Sequence, residues 1–378
     1  MRRLTATTAV MLLIGTAAGG GASYAINNLG KHIKTINSGE LKHVDKAKTV
    51  KVTDTSATNI LIMGSDSRSG AGNTGYGKVS GARSDTTLLV HIYKGRKAAT
   101  IVSIPRDTYV KLPPCTDSKG NQYGVWSAKF NAAFSEAGPI CTIKTVESVT
   151  GVPINKFMVL DFNGFKQVVD AVGGVEVCLT SPVYDPVRKG IGGSGLNLPA
   201  GYSTISGKQA LAFVRARESL GDGSDIGRIK RQQEFLSSMV RSLLSSGMLK
   251  NPATMYKVLG AITSSMTTSE DLASVPALEN FALSMSGISP QNIKFVTVPF
   301  DYVGKGNVGF NTKSQELFDA LIADKPWPPV APTPSVSPSS SASPKSTKTA
   351  SPTPTPSESG VISPGSYSCT EGNNRVKK

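Results

Sequence analysis

Histidine is almost missing from this chain. Only His32, His43 and His91 occur in 378 residues, the first two in a basic N-terminal stretch and the third inside an apolar run. That leaves little basis for a histidine general base. The four cysteines form no CxxC pair and no Cys/His spacing, so a zinc site is not indicated either. The Gly-rich loop SGAGNTGYGKVSG resembles a phosphate cradle in composition but lacks the GK[ST] ending of a P-loop, and it reads as a surface loop. Acidic residues are also short. Asp and Glu total 26 against 41 Lys and Arg, for a net charge of +15 and a pI near 9.6. The excess points to an anionic partner: nucleic acid, an acidic membrane surface, or an anionic polymer. The chain shows no DNA-reading helix motif, so nucleic acid is not the expected partner.

The ends of the chain narrow the choice. Arg2 and Arg3 precede residues 4–30, which carry no charge and are long enough to cross a bilayer, a span of ~20 residues as helix. An uncleaved signal anchor (residues 1–30) is the expectation, with a secretory peptide cut after SYA as the other reading. Both export the remainder. Residues 31–56 then read as a juxtamembrane linker, 57–325 as one folded domain, and 326–378 as a Pro/Ser/Thr-rich tail expected to be disordered. Cysteine usage agrees with export. Cys115 and Cys141 bracket a polar loop whose closure would be worth roughly 3.5 kcal/mol. Cys178 lies in VEVCL and Cys369 in the tail, and three pairings remain open.

Within the domain, short apolar runs predict strands at residues 58–64, 86–93, 99–104, 157–161, 175–179 and 293–299. Helical patterns fall at 127–137, 141–150, 162–172, 206–211, from 226 to about 247, within 251–286, and at 315–323. The alternation predicts an α/β fold, a central mixed β-sheet with helices on both faces. Strand ends repeatedly deliver charge: Asp66 after TNILIMG, Arg83 and Asp85 before TTLLVHIY, and Arg106 and Asp107 after ATIVSI. Ligands of open α/β sheets gather at such edges.

The densest charge lies in residues 212–233, AFVRARESLGDGSDIGRIKRQQ. If AFVRAR ends as a strand, Arg215 and Arg217 leave one face together. Asp225 is placed to cap the following helix, whose spacing puts Arg228, Arg231 and Gln232 side by side near its N-terminus. Arginine forks at a positive helix end suit a phosphate or diphosphate. A solvated strand end and helix face would carry the same residues. The carboxylates suit a hard ion such as Mg²⁺.

In order, GSDSR, RSDTTLLVHI, SIPRDTYV, KFNAAFSEAG and RARESLGDGSDIGRIKRQQEF resemble the LytR-CpsA-Psr (LCP) family of membrane-anchored cell-wall enzymes. The resemblance implies transfer of a glycopolymer from a polyprenyl-diphosphate carrier onto peptidoglycan through a phosphodiester, outside the cell membrane. It implies that Arg83, Arg106, Arg215, Arg217, Arg228 and Gln232 hold the diphosphate. Asp66 and Asp85 would hold Mg²⁺ or orient the arginines, with Asp225 supporting and Arg231 beside the substrate. The apolar helices after the fork would wall a lipid chain. A polyprenyl-diphosphate hydrolase, or a non-catalytic binder of anionic lipid carriers, are the alternative readings. Asp66, Asp85 and Asp107 are the candidate bases.

Overall fold

In a computed structural model, the structure describes residues 30, 33–36, 38–39, 41–44, 55–66, 84–188, 193–216, 219–220, 225–245, 251–263, 265–304, 306–329, 361–362 and 369–370. The expected anchor, apart from Gly30, lies outside them, as do Arg83 and Arg217. No helix among the described residues is long and apolar enough to cross a membrane.

The central sheet has eight strands. They are β1 (Lys34–Thr35), β2 (Thr58–Ser65), β3 (Ser84–Ile92), β4 (Ala99–Ile104), β5 (Lys156–Asp161), β6 (Met266–Thr268), β7 (Ile293–Thr297) and β8 (Val361–Ile362). The spatial order is β1-β6-β5-β2-β3-β4-β7-β8. β2 runs parallel to β5 and β4 parallel to β7, while β2–β3 and β3–β4 are antiparallel, so the sheet is mixed as expected. Its strands are apolar at consecutive positions because both faces are covered. Leu61, Met63, Leu89, Val102 and Phe157 point to one side, against helices α1 (Ala132–Thr150) and α7 (Thr312–Ile322). Ile60, Val90, Ile92, Ile101 and Met158 point to the other, against α5 (Pro252–Thr263) and α6 (Val275–Ser284). The period of two in the strands sets that division.

A third cluster joins α2 (Phe162–Ala171), α3 (Gly207–Arg215) and α4 (Asp225–Ser245) through Val169, Phe213 and Phe235. Asp161 ends β5 and caps α2, its carboxylate accepting from Gly164 N at 2.8 Å. Gly207 lets α3 start against α2. A Cβ there would lie 2.3 Å from the Lys166 carbonyl oxygen, and the Gly207 amide donates to Asp170 Oδ1 at 2.8 Å. Gly207→Ala is therefore expected to lose about 1–3 kcal/mol in urea unfolding, as overpacking against rigid backbone does. An unchanged midpoint would show that the two helices can slide apart freely.

Several expectations are corrected. The run 175–179 forms a strand, but it pairs with Gly201–Ile205 in a separate two-stranded sheet, outside the central sheet. The pattern at 127–137 is not one helix. Trp126–Lys129 is a strand paired with Tyr109–Leu112, and α1 begins only at Ala132. The gap between the two expected helices survives as a kink at Gly138 (φ 77°) before Pro139. The tail is not free throughout. Val361 and Ile362, an apolar pair, add to the β7 edge as β8, and Cys369 bonds Cys178. The second disulfide is Cys115–Cys141, with Cα atoms 5.5 Å apart, which settles the pairing. Trp327 is buried in the α1/α7 cluster, so the packed domain extends slightly past residue 325.

His91 has a structural task. Its Nδ1 lies 2.7 Å from Asn59 Oδ1 and its Nε2 3.0 Å from Asp324 Oδ1, which ties β3 to β2 and to the end of α7. Burial pulls its pKa down, against the opposing pull of the Asp324 carboxylate.

Candidate functional site

Because β3 and β4 are antiparallel, with Thr87 opposite Ile104, the start of one and the end of the other share a sheet edge. The turn after β4 is held tightly. Thr108 N and Oγ1 both donate to Pro105 O, at 3.1 and 2.7 Å, and Asn131 N donates to Arg106 O at 3.1 Å. This turn aims Arg106 back at β3. Its Nη1 donates to Asp85 Oδ1 at 2.8 Å and its Nε to Asp107 Oδ2 at 3.3 Å, while Lys129 Nζ donates to Asp107 Oδ1 at 2.7 Å. The row Asp85, Arg106, Asp107, Lys129 alternates in sign. Both Asp107 oxygens are occupied, whereas Asp85 Oδ2 makes no hydrogen bond among the described residues. Arg106 and Asp85 remain open to solvent, at 22% and 35% exposure.

The first turns of α4 close the opposite wall. Gln233 Nε2 donates to Ser103 Oγ at 2.9 Å and Thr297 Oγ1 at 3.1 Å, fastening the helix across the ends of β4 and β7. The neighbouring Gln232 donates to Val214 O at 3.2 Å and accepts from Thr86 Oγ1 at 3.4 Å. Arg228, one turn earlier, is buried. Between the walls lies a cleft of about 180 Å³. It is lined by Asp85, Thr86, Thr87, Ser103, Arg106, Asp107, Ile226, Arg228, Ile229 and Gln232, with Tyr302, Gly306 and Val308 at one side. Two guanidinium groups and a positive helix end facing one small cavity make an anion site.

Of the residues expected from sequence, Asp85, Arg106, Arg228 and Gln232 line this cleft together. Arg231 is corrected. It is buried and turned inward, donating from Nη1 to Leu220 O at 3.0 Å and from Nη2 to Ala216 O at 2.5 Å, so it staples the segment before α4. Arg215 is corrected in its element. AFVR closes helix α3, not a strand, and the guanidinium lies 4.9 Å from the centre of the Phe162 ring. It is not among the residues lining the cleft. Asp225 is the first residue of α4, and its side chain is outside the described residues. Asp66 follows Ser65, which pairs with Ser84 next to Asp85, so both carboxylates belong to one sheet edge. No group of three or more His, Cys, Asp or Glu side chains suited to a metal occurs among the described residues.

Sequence reasoning missed Lys129 and Tyr302. Lys129 was hidden by the helical reading of SAKFNAAF, although its position just before NAAF was a usable signal. Tyr302 belongs to the hairpin Phe300–Gly304/Asn307–Phe310, signalled by the glycines of DYVGKGNVG.

Fold and site together define an α/β domain built around a cation-lined cleft at a sheet edge. The chain belongs to the LytR_cpsA_psr family, which matches residues 24–324. Among its relatives is the cell wall biosynthesis protein LcpA of Corynebacterium glutamicum, 35% identical over 280 residues that cover 67% of this chain and 52% of that protein. Another is TagT of Bacillus subtilis, a polyisoprenyl-teichoic acid–peptidoglycan teichoic acid transferase, 32% identical over 234 residues that cover 61% of this chain and 67% of that protein. The chain thus spans about half the length of LcpA and about two thirds of that of TagT. The structure of TagT bound to LI-WTA superposes with a TM-score of 0.53 at 26% identity, covering 77% of this chain and 98% of that one. The protein gbs0355 of Streptococcus agalactiae shares the fold, with a TM-score of 0.58 at 24% identity, over 74% of this chain and 91% of that one.

Proposed function

We propose that this domain transfers a cell-wall glycopolymer from a polyprenyl-diphosphate carrier to peptidoglycan through a phosphodiester link. The observation that carries the reading is the convergence of Arg106, Arg228 and the start of α4 on one small cleft. The arginines grip the diphosphate and offset the charge that builds on the leaving polyprenyl phosphate. A sugar hydroxyl attacks the phosphorus nearest the glycopolymer, the bond to polyprenyl phosphate breaks, and the hydroxyl proton passes to a cleft carboxylate. Asp107 is tied at both oxygens by Arg106 and Lys129, which favours Asp85 for that part. Arg83, Arg215 and Arg217 are kept, as the family resemblance implies, among the residues that hold the diphosphate, with Asp225 in support; Arg83 and Arg217 lie outside the described residues.

Asp66 and Asp85 fit the donor set of Mg²⁺, which takes one or two carboxylates plus phosphate oxygens, and Asp85 Oδ2 is uncommitted among the described residues. When bound, such an ion supplies charge neutralisation on the phosphate. The same oxygen cannot serve ion and proton at once, so loss of activity on chelation would give it to the ion. The two disulfides support an exported domain, and the uncharged run 4–30 is its proposed membrane anchor.

The test is to incubate the protein with a synthetic polyprenyl-diphosphate sugar, Mg²⁺ and oligomeric peptidoglycan, and to read the products by mass. A covalent sugar-phosphate adduct on the glycan is expected. Release of the phosphorylated sugar to water alone would make the protein a hydrolase, and tight binding without turnover would make it a receptor.

A further inference from the structure

The outer wall of the cleft is unlike the inner one. It is a two-stranded hairpin, Phe300–Gly304 with Asn307–Phe310, whose first strand is exposed from Asp301 to Gly304 while the second packs on the domain through Val308 and Phe310. Tyr302 lines the cleft and yet is 75% exposed. Its ring is braced from behind, edge to face, by Phe300, with centroids 5.6 Å apart at 89°. The hairpin is also tied to the catalytic turn. Val308, opposite Tyr302, bridges to Thr108, and its amide donates to Asp107 O at 3.3 Å. Asn311 Nδ2 holds Asp301 Oδ1 at 3.1 Å at the base of the arm. An exposed aromatic ring offers a large flat apolar face with a polar tip to whatever binds beside it. Here it is held rigidly beside a site for anionic phosphate.

We propose that Tyr302 is the platform for the acceptor glycan, its ring stacking on the C–H face of a pyranose so that a sugar hydroxyl reaches the phosphorus held by Arg106 and Arg228. This deepens the transferase reading and rests on it for the phosphate. A donor needs a pocket for its charge, which the inner wall supplies. A polymeric acceptor arrives from outside and needs an open rim, which the exposed Tyr302 on the hairpin supplies. Tyr302 thereby determines specificity for a saccharide acceptor over water.

The experiment separates the glycan from the phosphate. Binding of a β-1,4-linked N-acetylglucosamine tetramer to the full chain is followed by saturation-transfer NMR, for the wild type, Tyr302→Phe, Tyr302→Ala and Arg106→Ala. Tyr302→Phe should bind like the wild type, Tyr302→Ala should bind about tenfold more weakly, and Arg106→Ala should bind normally. Under turnover, Tyr302→Ala should raise KM for the acceptor about tenfold and leave KM for the diphosphate donor unchanged. Equal glycan binding by Tyr302→Ala and wild type, or no binding by either, overturns the proposal even if transfer is observed. A change confined to donor KM overturns it as well, placing Tyr302 on the donor side. If no transfer occurs with any protein but the binding pattern holds, the transferase reading fails and the glycan platform stands.

Discussion

Arg106→Ala should lower transfer about 10²–10³-fold while the protein melts as before. Arg106 touches two carboxylates, Asp85 and Asp107, and it is partly open to solvent. Its removal takes a preorganised donor away from the diphosphate and frees Asp85 to swing. Because both ion pairs are partly exposed, their contribution to folding is small, about 1 kcal/mol or less, so loss of activity will not be loss of fold. Arg106→Lys is the informative companion. It keeps the charge but not the planar fork, and should recover only part of the rate. Product mass analysis and thermal melting of the three proteins are sufficient. If Arg106→Ala transfers within a few-fold of wild type, the cleft is not where the diphosphate binds.

The reasons that Arg106 was legible in the sequence, and Arg215 was not, are physical. IPRD follows a run, ATIVSI, whose strand is fixed by burial on both faces, so what comes after it must lie at the sheet edge. AFVRAR offers no such anchor. Its short apolar pattern fits a strand or a helix end equally, and the choice was made by tertiary packing of Ala212 and Phe213 against α2 and α4. Arg231 failed for a related reason. Helical spacing places it beside Arg228 and Gln232, but spacing does not say which flank faces the sheet. The carbonyls of Ala216 and Leu220, delivered by a loop, claimed its guanidinium. The docked end of the tail was hidden because two apolar residues in a polar tract carry no periodic signal. Only the unsatisfied edge of β7 gives Val361 and Ile362 a place.

The second large effect lies far from the cleft, in the Lys156–Asp271 pair. Lys156 opens β5, and Asp271 sits in the 3₁₀ turn Glu270–Leu272 that follows β6. Both side chains are nearly inaccessible, at 7% and 1% exposure, and they are in direct hydrogen-bonded contact. The pair closes over the β5–β6 register, where Thr268 Oγ1 and Ser269 N also reach Phe157 O, at 2.8 and 3.2 Å. Asp271→Ala leaves an ammonium in the interior without that carboxylate, at an expected cost of about 3–5 kcal/mol in urea unfolding. Lys156→Met should cost a similar amount by stranding the carboxylate. The double variant Lys156→Met/Asp271→Leu should recover most of the loss, because two apolar chains of similar size ask for no compensating charge. Two losses that simply add in the double variant would mean that each charge is held by other neighbours. The effect should also reach α2, since β5 ends at Asp161, which caps that helix. An Asp271→Ala protein still folded at low temperature should therefore retain diphosphate binding, and should lose it at a lower temperature than wild type.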